Sequence, residues 1–283
     1  MLKFIDAHLH FFDIENGDYH WLREENPPFW PDKGKILRNF HQCDLHCEPR
    51  FSLAGYVHVE AGYDNTQWWR EIEWLEKSAT LPFRSVASAD ITKPPQHFIQ
   101  EIDKLRAYPS VVGVRHILDE NACDLLSDLE VCSNLAYLAE QTLSFDLQMS
   151  LTDTSGIHQL LACVEHCPQL TIILNHAGFP PQLNSGKWEE WKKNLSLLAK
   201  HNNIAVKCSG WEMGRRDYET RWVLTVLSEC LEAFGDHRVM LASNFPLCLF
   251  SKSYEELWTQ YLDFTTARAE ALFHDNALLW YKF

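Results

Sequence analysis

The chain has 283 residues, of which 46% are hydrophobic and 23% charged, and its formal net charge at pH 7 is −14. This size and composition are typical of a globular protein with one large domain or two small ones. The excess of acidic residues would repel phosphate groups across most of the surface, which argues against a nucleic-acid partner.

Short apolar runs rich in β-branched residues alternate along the chain with longer segments of helical period. As strands we predict Lys3–His8, Leu53–Val59, Phe83–Ala89, Val111–Ile117, Phe145–Ser150, Leu170–Asn175, Ile204–Cys208 and Val239–Ser243. This alternation implies parallel strands joined by crossover helices. Eight repeats indicate an α/β protein with a (β/α)8 TIM barrel, formed as a single domain over residues 1–283. An open doubly wound sheet is the alternative, but no G-x-G-x-x-G follows the first strand.

The first connection, residues 11–52, is long and rich in aromatic residues and proline, including Tyr19, Trp21 and Trp30. Connections longer than about 15 residues are usually functional or disordered, and this one is too aromatic for a disordered linker. It leaves the C-terminal end of the first strand, so we expect it to lie over the barrel mouth as a lid. A packed loop with no role in binding is the alternative.

Polar residues follow nearly every predicted strand. In chain order the strand ends offer His8, His10, Glu60, Asp90, Arg115, His116, Gln148, His176, Lys207 and Asn244. A single polar residue at a strand end needs no explanation beyond contact with water. Because barrel enzymes place their catalytic groups at these ends, the whole set predicts an active site at the mouth.

Two histidines, His8 and His10, stand at positions i and i+2 of the first strand end and therefore face the same side. At a rise of about 3.3 Å per residue, their rings can converge on one ion. His176 would complete a set of three imidazoles with an open position for water, as in catalytic zinc sites. We therefore predict a divalent metal, zinc, at these residues. The run H-Q-C-D-L-H-C at 41–47 is a rival zinc site, but it lacks a second C-x-x-C pair.

Several stretches together resemble one family. They are I-D-A-H-L-H-F-F-D, V-G-V-R-H-I-L-D-E, F-D-L-Q, I-L-N-H-A-G-F-P-P, V-K-C-S-G, F-G-D-H-R-V-M-L-A-S-N-F-P-L-C-L and D-N-A-L-L-W-Y. They run from the first strand to the last residues and occur in the family's order. The chain resembles the amidohydrolase-related proteins of the amidohydrolase superfamily, and within them the sugar-lactone hydrolases typified by fucono-lactonase. Pyrone-dicarboxylate lactonase is a more distant relative.

The resemblance implies a barrel hydrolase with His8, His10 and His176 at the reaction centre and Arg115 facing the substrate. It leaves the metal open, because some members bind a divalent ion and the pyrone-dicarboxylate relative works without one. The chain departs from the lactonase pattern at the eighth strand, where A-S-N-F-P places Asn244 in the position of an aspartate. An amide cannot take a proton from water at neutral pH, so the usual general base is missing.

We therefore expect hydrolysis of a small sugar-derived or carboxylated lactone. The catalytic candidates are His8, His10, His176, Asn244 and Glu60, the last as a substitute base. The candidates for substrate binding are Arg115, His116, Gln148, Trp21, Trp211 and Arg215. A metal-dependent decarboxylase and a catalytically weakened ligand-binding homologue are the alternatives.

The remaining expectations concern location and partners. The first residues, M-L-K-F-I-D, lack the features of a signal peptide, and no apolar run approaches the roughly 20 residues of a membrane-spanning helix. Nine cysteines, an odd number, fit reduced thiols in a cytoplasmic protein. We expect a small-molecule substrate and neither a nucleic-acid nor a membrane partner, while a homo-oligomer is compatible with the sequence.

Overall fold

A parallel eight-stranded sheet forms the centre of the molecule. A computed structural model describes the backbone of residues 1–265 and 269–283, and the side chains of all of these except 263–265. The strands are β1 Leu2–Leu9, β2 Phe51–Val59, β3 Phe83–Ser88, β4 Val111–Ile117, β5 Ser144–Gln148, β6 Thr171–Leu174, β7 Ile204–Cys208 and β8 Val239–Leu241. They pair in sequence order, each parallel to the next. The predicted (β/α)8 TIM barrel is confirmed.

The barrel closes just beyond the end of β8. Phe245 forms a parallel bridge with Leu9, and the Asn244 N–H donates to the His8 carbonyl at 2.8 Å. This closure places the residues that follow β8 directly beside the histidines that end β1. The position of residue 244 relative to His8 is therefore fixed by backbone hydrogen bonds.

Helices follow the strands, and most of them cover the outer face of the sheet. They are α1 Trp69–Ser78, α2 Pro95–Leu105, α3 Ala122–Ser127, α4 Leu129–Glu140, α5 Thr154–His166, α6 Trp188–Leu198, α7 Trp211–Gly214, α8 Thr220–Phe234, α9 Tyr254–Thr265 and α10 Asn276–Trp280. In α2 the residues Phe98, Ile102 and Leu105 are buried, at the three- and four-residue spacing of an amphipathic helix. Each such side chain contributes about 1.5–3 kcal/mol when it leaves water. No helix among the described residues combines the length and apolar character that spanning a membrane requires.

A second, smaller apolar cluster fills the inside of the barrel. It includes Ile5, Val57, Ile173 and Met240 from the strands, and Tyr281 joins them after α10. Tyr281 is fully buried, and its hydroxyl donates to Asp146 on β5 at 2.9 Å. The apolar cluster inside the barrel therefore contacts a charged side chain through this hydroxyl.

The connection between β1 and β2 is packed against the barrel mouth. Its Phe12 and Phe40 are both buried and form an antiparallel bridge. The buried Lys33 ammonium donates to the carbonyls of Trp21, Arg23 and Asn26 at 2.8–3.0 Å. These bonds fix the shape of the connection from within, together with short 3₁₀ helices at His20–Leu22, Lys33–Ile36 and Gln42–Asp44.

Candidate active site

A cavity of about 670 Å³ opens at the C-terminal end of the barrel. Seven of the residues singled out from the sequence line it: His10, His176, Asn244, Glu60, Arg115, Gln148 and Trp21. The connection after β1 supplies one wall, with Pro27, Pro28 and Trp30 beside Trp21. The Trp21 indole is held by a 2.7 Å hydrogen bond to the Ala61 carbonyl, just after β2. The lid predicted at residues 11–52 therefore contributes to the cavity wall.

The three predicted histidines lie together, and two of them, His10 and His176, line this cavity. His8 Nε2 is 3.2 Å from His10 Nε2, and the ring centroids of His8 and His176 are 4.6 Å apart. His176 has a left-handed backbone (φ 54°), and its Nδ1 lies 3.0 Å from the Ser209 hydroxyl after β7. Gly210 makes this approach possible, because a Cβ there would stand 2.4 Å from His176 Nδ1.

A buried lysine decides the hydrogen-bond directions among the first two histidines. Lys207 Nζ lies 2.5 Å from Asp146 Oδ2 and 3.1 Å from His8 Nδ1. An ammonium group only donates, so His8 Nδ1 accepts and the proton of the neutral ring is on Nε2. His8 Nε2–H then donates to His10 Nε2, while His10 Nδ1–H donates to the Val59 carbonyl at 2.7 Å. Every ring nitrogen of His8 and His10 is thereby used.

Burial keeps these imidazoles neutral. It lowers the pKa of His8, His10 and His176 well below the usual value of 6.5, and the positive charge of Arg115 lowers all three further. Burial also lowers the pKa of Lys207, to about 8, although Asp146 opposes the shift. At pH 7 the centre therefore contains three neutral rings and a protonated lysine.

These residues do not fit a divalent metal ion. A metal-binding histidine normally donates its second ring nitrogen to a carboxylate or carbonyl, whereas Nδ1 of His8 faces a cation. With the proton on Nε2, His8 has no lone pair to offer on the side of His10. Among residues 1–265 and 269–283, no group of three or more His, Cys, Asp or Glu side chains is arranged to hold a metal, either here or in the run at 41–47. The predicted zinc site therefore finds no support in this donor set.

Arg115 is fixed at the cavity wall by the ends of the neighbouring strands. Its Nε donates to Glu60 Oε1 at 2.8 Å, Nη2 to the Glu60 carbonyl at 2.9 Å, and Nη1 to Gln148 Oε1 at 2.9 Å. The sequence had suggested Glu60 as a substitute base. In the structure the Glu60 carboxylate is the charge partner of Arg115, with its Oε1 2.6 Å from Arg115 Nη2, and so holds the guanidinium in place.

Glu212 is a residue that the sequence reasoning missed. It lies in α7 with 1% of its surface exposed, and its Oε1 accepts a hydrogen bond from Asn244 Nδ2 at 2.5 Å. Burial raises the pKa of Glu212 to about 7, while the bond from Asn244 opposes that rise. A glutamate between two apolar residues directly after a strand end, in G-W-E-M, was the available signal.

Three predicted substrate contacts are not among the described residues that line the cavity. Trp211 is buried on the far side of α7, where its indole donates to the Tyr261 hydroxyl at 2.6 Å. Arg215 lies on the surface and pairs with Asp217 at 2.8 Å. His116 points outward from β4, with Nδ1 3.3 Å from the Ala89 carbonyl.

Residues 5–283 match the model of a protein family described as "Amidohydrolase". The chain belongs to the amidohydrolase family. Over 98% of this chain it is 24% identical to an L-fucono-1,5-lactonase of Burkholderia multivorans, and the match covers 92% of that protein. It is 29% identical to an uncharacterized protein of Sinorhizobium fredii, with 99% of each chain covered. The family resemblance inferred from the sequence is confirmed.

A crystal structure of an amidohydrolase from Burkholderia multivorans with bound HEPES superposes on this amidohydrolase with a TM-score of 0.83. The identity is 21%, and 99% of each chain is covered, so the likeness establishes the fold alone. Family membership supports an enzyme, and specifically a hydrolase. The substrate has to be inferred from the chemistry of the cavity.

Proposed function

We propose that this protein hydrolyses a small sugar-derived or carboxylated lactone by attack of water on the ring ester. One observation carries the proposal: a rigid guanidinium, Arg115, and a neutral imidazole, His176, both line the same cavity. The first suits the negative charge that develops on an ester carbonyl oxygen, and the second suits the proton that water releases. The likeness to L-fucono-1,5-lactonase supports the same reaction class.

Arg115 would bind the carbonyl oxygen of the lactone. Its hydrogen bonds to Glu60 and Gln148 hold the guanidinium plane before substrate arrives, so little reorganisation is needed as the oxyanion forms. A charge-assisted hydrogen bond of this kind contributes about 1.5–3 kcal/mol. If it strengthens as the tetrahedral intermediate forms, this energy lowers the barrier.

His176 would accept the proton of the attacking water. His8 and His10 use their nitrogens on each other, on Lys207 and on Val59. Within the part of the chain that the structure describes, His176 has only its Nδ1 engaged, by the Ser209 hydroxyl. The water oxygen bonds to the carbonyl carbon as its proton passes to His176. The ring C–O bond then breaks, and the same proton goes to the leaving alkoxide, which yields a hydroxy acid. General acid–base help is typically worth about 10²–10⁴ in rate, and the lowered pKa of His176 makes it a weak base, so its help lies at the lower end of that range.

The wall of the cavity favours a neutral, polyhydroxylated lactone within this class. Trp21 and Trp30 offer apolar faces to a sugar ring, while Asp119 and Glu120 line the cavity beyond β4. Carboxylates accept hydrogen bonds from hydroxyl groups and repel a second carboxylate on a substrate. We therefore expect aldonolactones to react faster than dicarboxylated lactones.

A pH-indicator screen tests the proposal. Five- and six-membered aldonolactones and a dicarboxylated pyrone lactone are offered with EDTA present, and acid release is followed. The variants are Arg115→Met and His176→Asn, with Arg106→Met as the matched control because that arginine is exposed on the surface. We expect acid release from aldonolactones, lost in the first two variants and kept in the control. Release of carbon dioxide from hydroxybenzoates would favour the decarboxylase alternative, and binding without turnover would favour the weakened homologue.

A further inference from the structure

Glu212 is a buried carboxylate that the mechanism above leaves unused. Its Oε1 accepts from Asn244 Nδ2 at 2.5 Å. The nearby Arg216 donates to the backbone oxygen of Glu212 and pairs through its guanidinium with Asp32 at 2.9 Å. Within the described part of the chain, the Glu212 carboxylate forms no ion pair. A buried carboxylate without a cation destabilises a fold, so its presence beside the cavity suggests a role there.

The carboxylate determines which end of the Asn244 amide faces the cavity. The backbone of Asn244 lies in the left-handed region (φ 59°) and is held there by two hydrogen bonds. The Asn244 N–H donates to the His8 carbonyl, and the Asn244 carbonyl accepts from the Cys248 N–H. The remaining freedom of the amide is a half-turn that exchanges its oxygen and nitrogen. An ionised carboxylate only accepts, so Glu212 binds the NH₂ group and leaves Oδ1 for the cavity that Asn244 lines.

We propose that Glu212 is a positioning residue for hydrolysis, which turns Asn244 Oδ1 into the cavity to accept a hydrogen bond from the attacking water. The inference rests on the proposed lactone hydrolysis. One water proton is bound by Asn244 Oδ1 and the other by His176, so that the oxygen lone pair points at the ester carbon. The negative charge of Glu212 also polarises the Asn244 amide in the direction that strengthens its oxygen as an acceptor.

The arrangement implies a dependence on pH. Burial raises the pKa of Glu212 to about 7, so the carboxylate gains a proton just below neutral pH. Protonated Glu212 can donate to Asn244 Oδ1, which removes the preference for either orientation of the amide. Among the residues that the structure describes, the other titratable or charged groups around it are Arg216, Tyr218, Cys248 and Tyr261. We expect kcat to rise with pH through about 7.

The first test compares Glu212→Gln with Glu219→Gln, which removes an exposed carboxylate from the same connection between β7 and α8. In Glu212→Gln we expect kcat to fall about 10–100-fold, because a misplaced reacting group costs up to about 10²-fold. KM changes little, the rise of kcat near pH 7 disappears, and the melting temperature stays equal or increases. The control keeps all four properties. A lower melting temperature with an unchanged kcat and pH profile would show a structural role and overturn the proposal.

The second test exchanges the two groups. Asn244→Asp alone places two carboxylates in hydrogen-bond contact, where they must share a proton, so we expect a reduced kcat. In the double variant Glu212→Gln with Asn244→Asp, the glutamine donates to one oxygen of the aspartate and the other oxygen faces the cavity. We expect its kcat to return to within about tenfold of the natural protein. A folded double variant as slow as Glu212→Gln alone contradicts the proposal.

A measurement without substrate separates this inference from the proposed function. In ¹⁵N-labelled protein, the Asn244 side-chain NH₂ resonance is identified by its loss in Asn244→Asp. We expect it to shift between pH 6 and 8 in the natural protein and to stay constant in Glu212→Gln. A resonance that ignores pH overturns the inference, whatever the substrate. If the resonance shifts with pH but the protein hydrolyses no lactone, the orientation of Asn244 by Glu212 is supported, and only the proposed function is refuted.

Discussion

Replacement of Arg115 by methionine should damage both the fold and the reaction, and the two effects can be separated. The change removes a guanidinium that makes three hydrogen bonds to Glu60 and Gln148. The side chains of Arg115 and Glu60 are only 7% and 12% exposed, so the Glu60 charge would be left buried and unpaired. Loss of one partner of such a pair costs about 3–5 kcal/mol. At roughly 2–4 °C per kcal/mol, the melting temperature should fall by about 6–20 °C.

The second variant, Arg115→Met with Glu60→Gln, removes both charges. Its melting temperature should recover most of the loss, because no unpaired charge remains, whereas lactone hydrolysis should stay absent. Thermal unfolding by circular dichroism and the acid-release assay give the two readouts, with Arg106→Met expected to stay within about 0.5 kcal/mol of the natural protein. If Arg115→Met has the same melting temperature as the natural protein, the argument from burial is refuted. A double variant that regains hydrolysis refutes the role of Arg115 in binding the carbonyl.

Three further predictions follow from the site. Burial raises the pKa of Glu212 from 4.5 to about 7, so its stabilising contribution is fully present below pH 4.5 and lost as pH rises through 7; this loss is about 3 kcal/mol. In Glu212→Gln, the free energy of unfolding measured with urea should lack this decrease between pH 4.5 and 8. If that free energy changed with pH equally in both proteins, the raised pKa of Glu212 would be contradicted. Gly210→Ala should lower kcat by about 10²-fold, since its Cβ would displace His176, and an unchanged kcat would show that the ring can move freely. Because Nδ1 of His8 faces a cation, titration calorimetry should detect no zinc binding to the native protein, and EDTA should leave the rate of hydrolysis unchanged. Inactivation by EDTA would contradict this prediction.

The strands were predictable because buried parallel strands leave a strong local pattern. Val111–Ile117 and Ile204–Cys208 have the predicted bounds, and Phe51–Val59 begins two residues before the predicted start. The ends are less certain because they depend on pairing with neighbouring strands. The register of β1 against β2, for example, shifts after Phe4 and again between Asp6 and Leu9.

The lining of the cavity was predictable for most residues at strand ends, and less so in the turns. Trp211, Glu212 and Arg215 stand three to seven positions after the end of β7, yet the turn that contains α7 directs them towards the core, the site and the solvent respectively. Which of them reaches the cavity depends on the rotation of one helical turn, which no local pattern determines. The sequence also indicated Lys207 at a strand end, but its contact with His8 joins residues 199 positions apart.

That contact connects the chemistry of the site to the order in which the chain folds. The interactions Lys207–His8, Tyr281–Asp146 and Tyr254–Asp6 join residues 199, 135 and 248 positions apart. Contacts of such separation form only after long loops have closed, so the polar interior is completed late. Before β7 docks, His8 and His10 are two adjacent imidazoles without a cation beside them and can bind zinc. A ligand that binds the unfolded chain and not the native protein lowers stability. We therefore expect zinc to slow refolding and to reduce the melting temperature of a protein whose native histidines reject it.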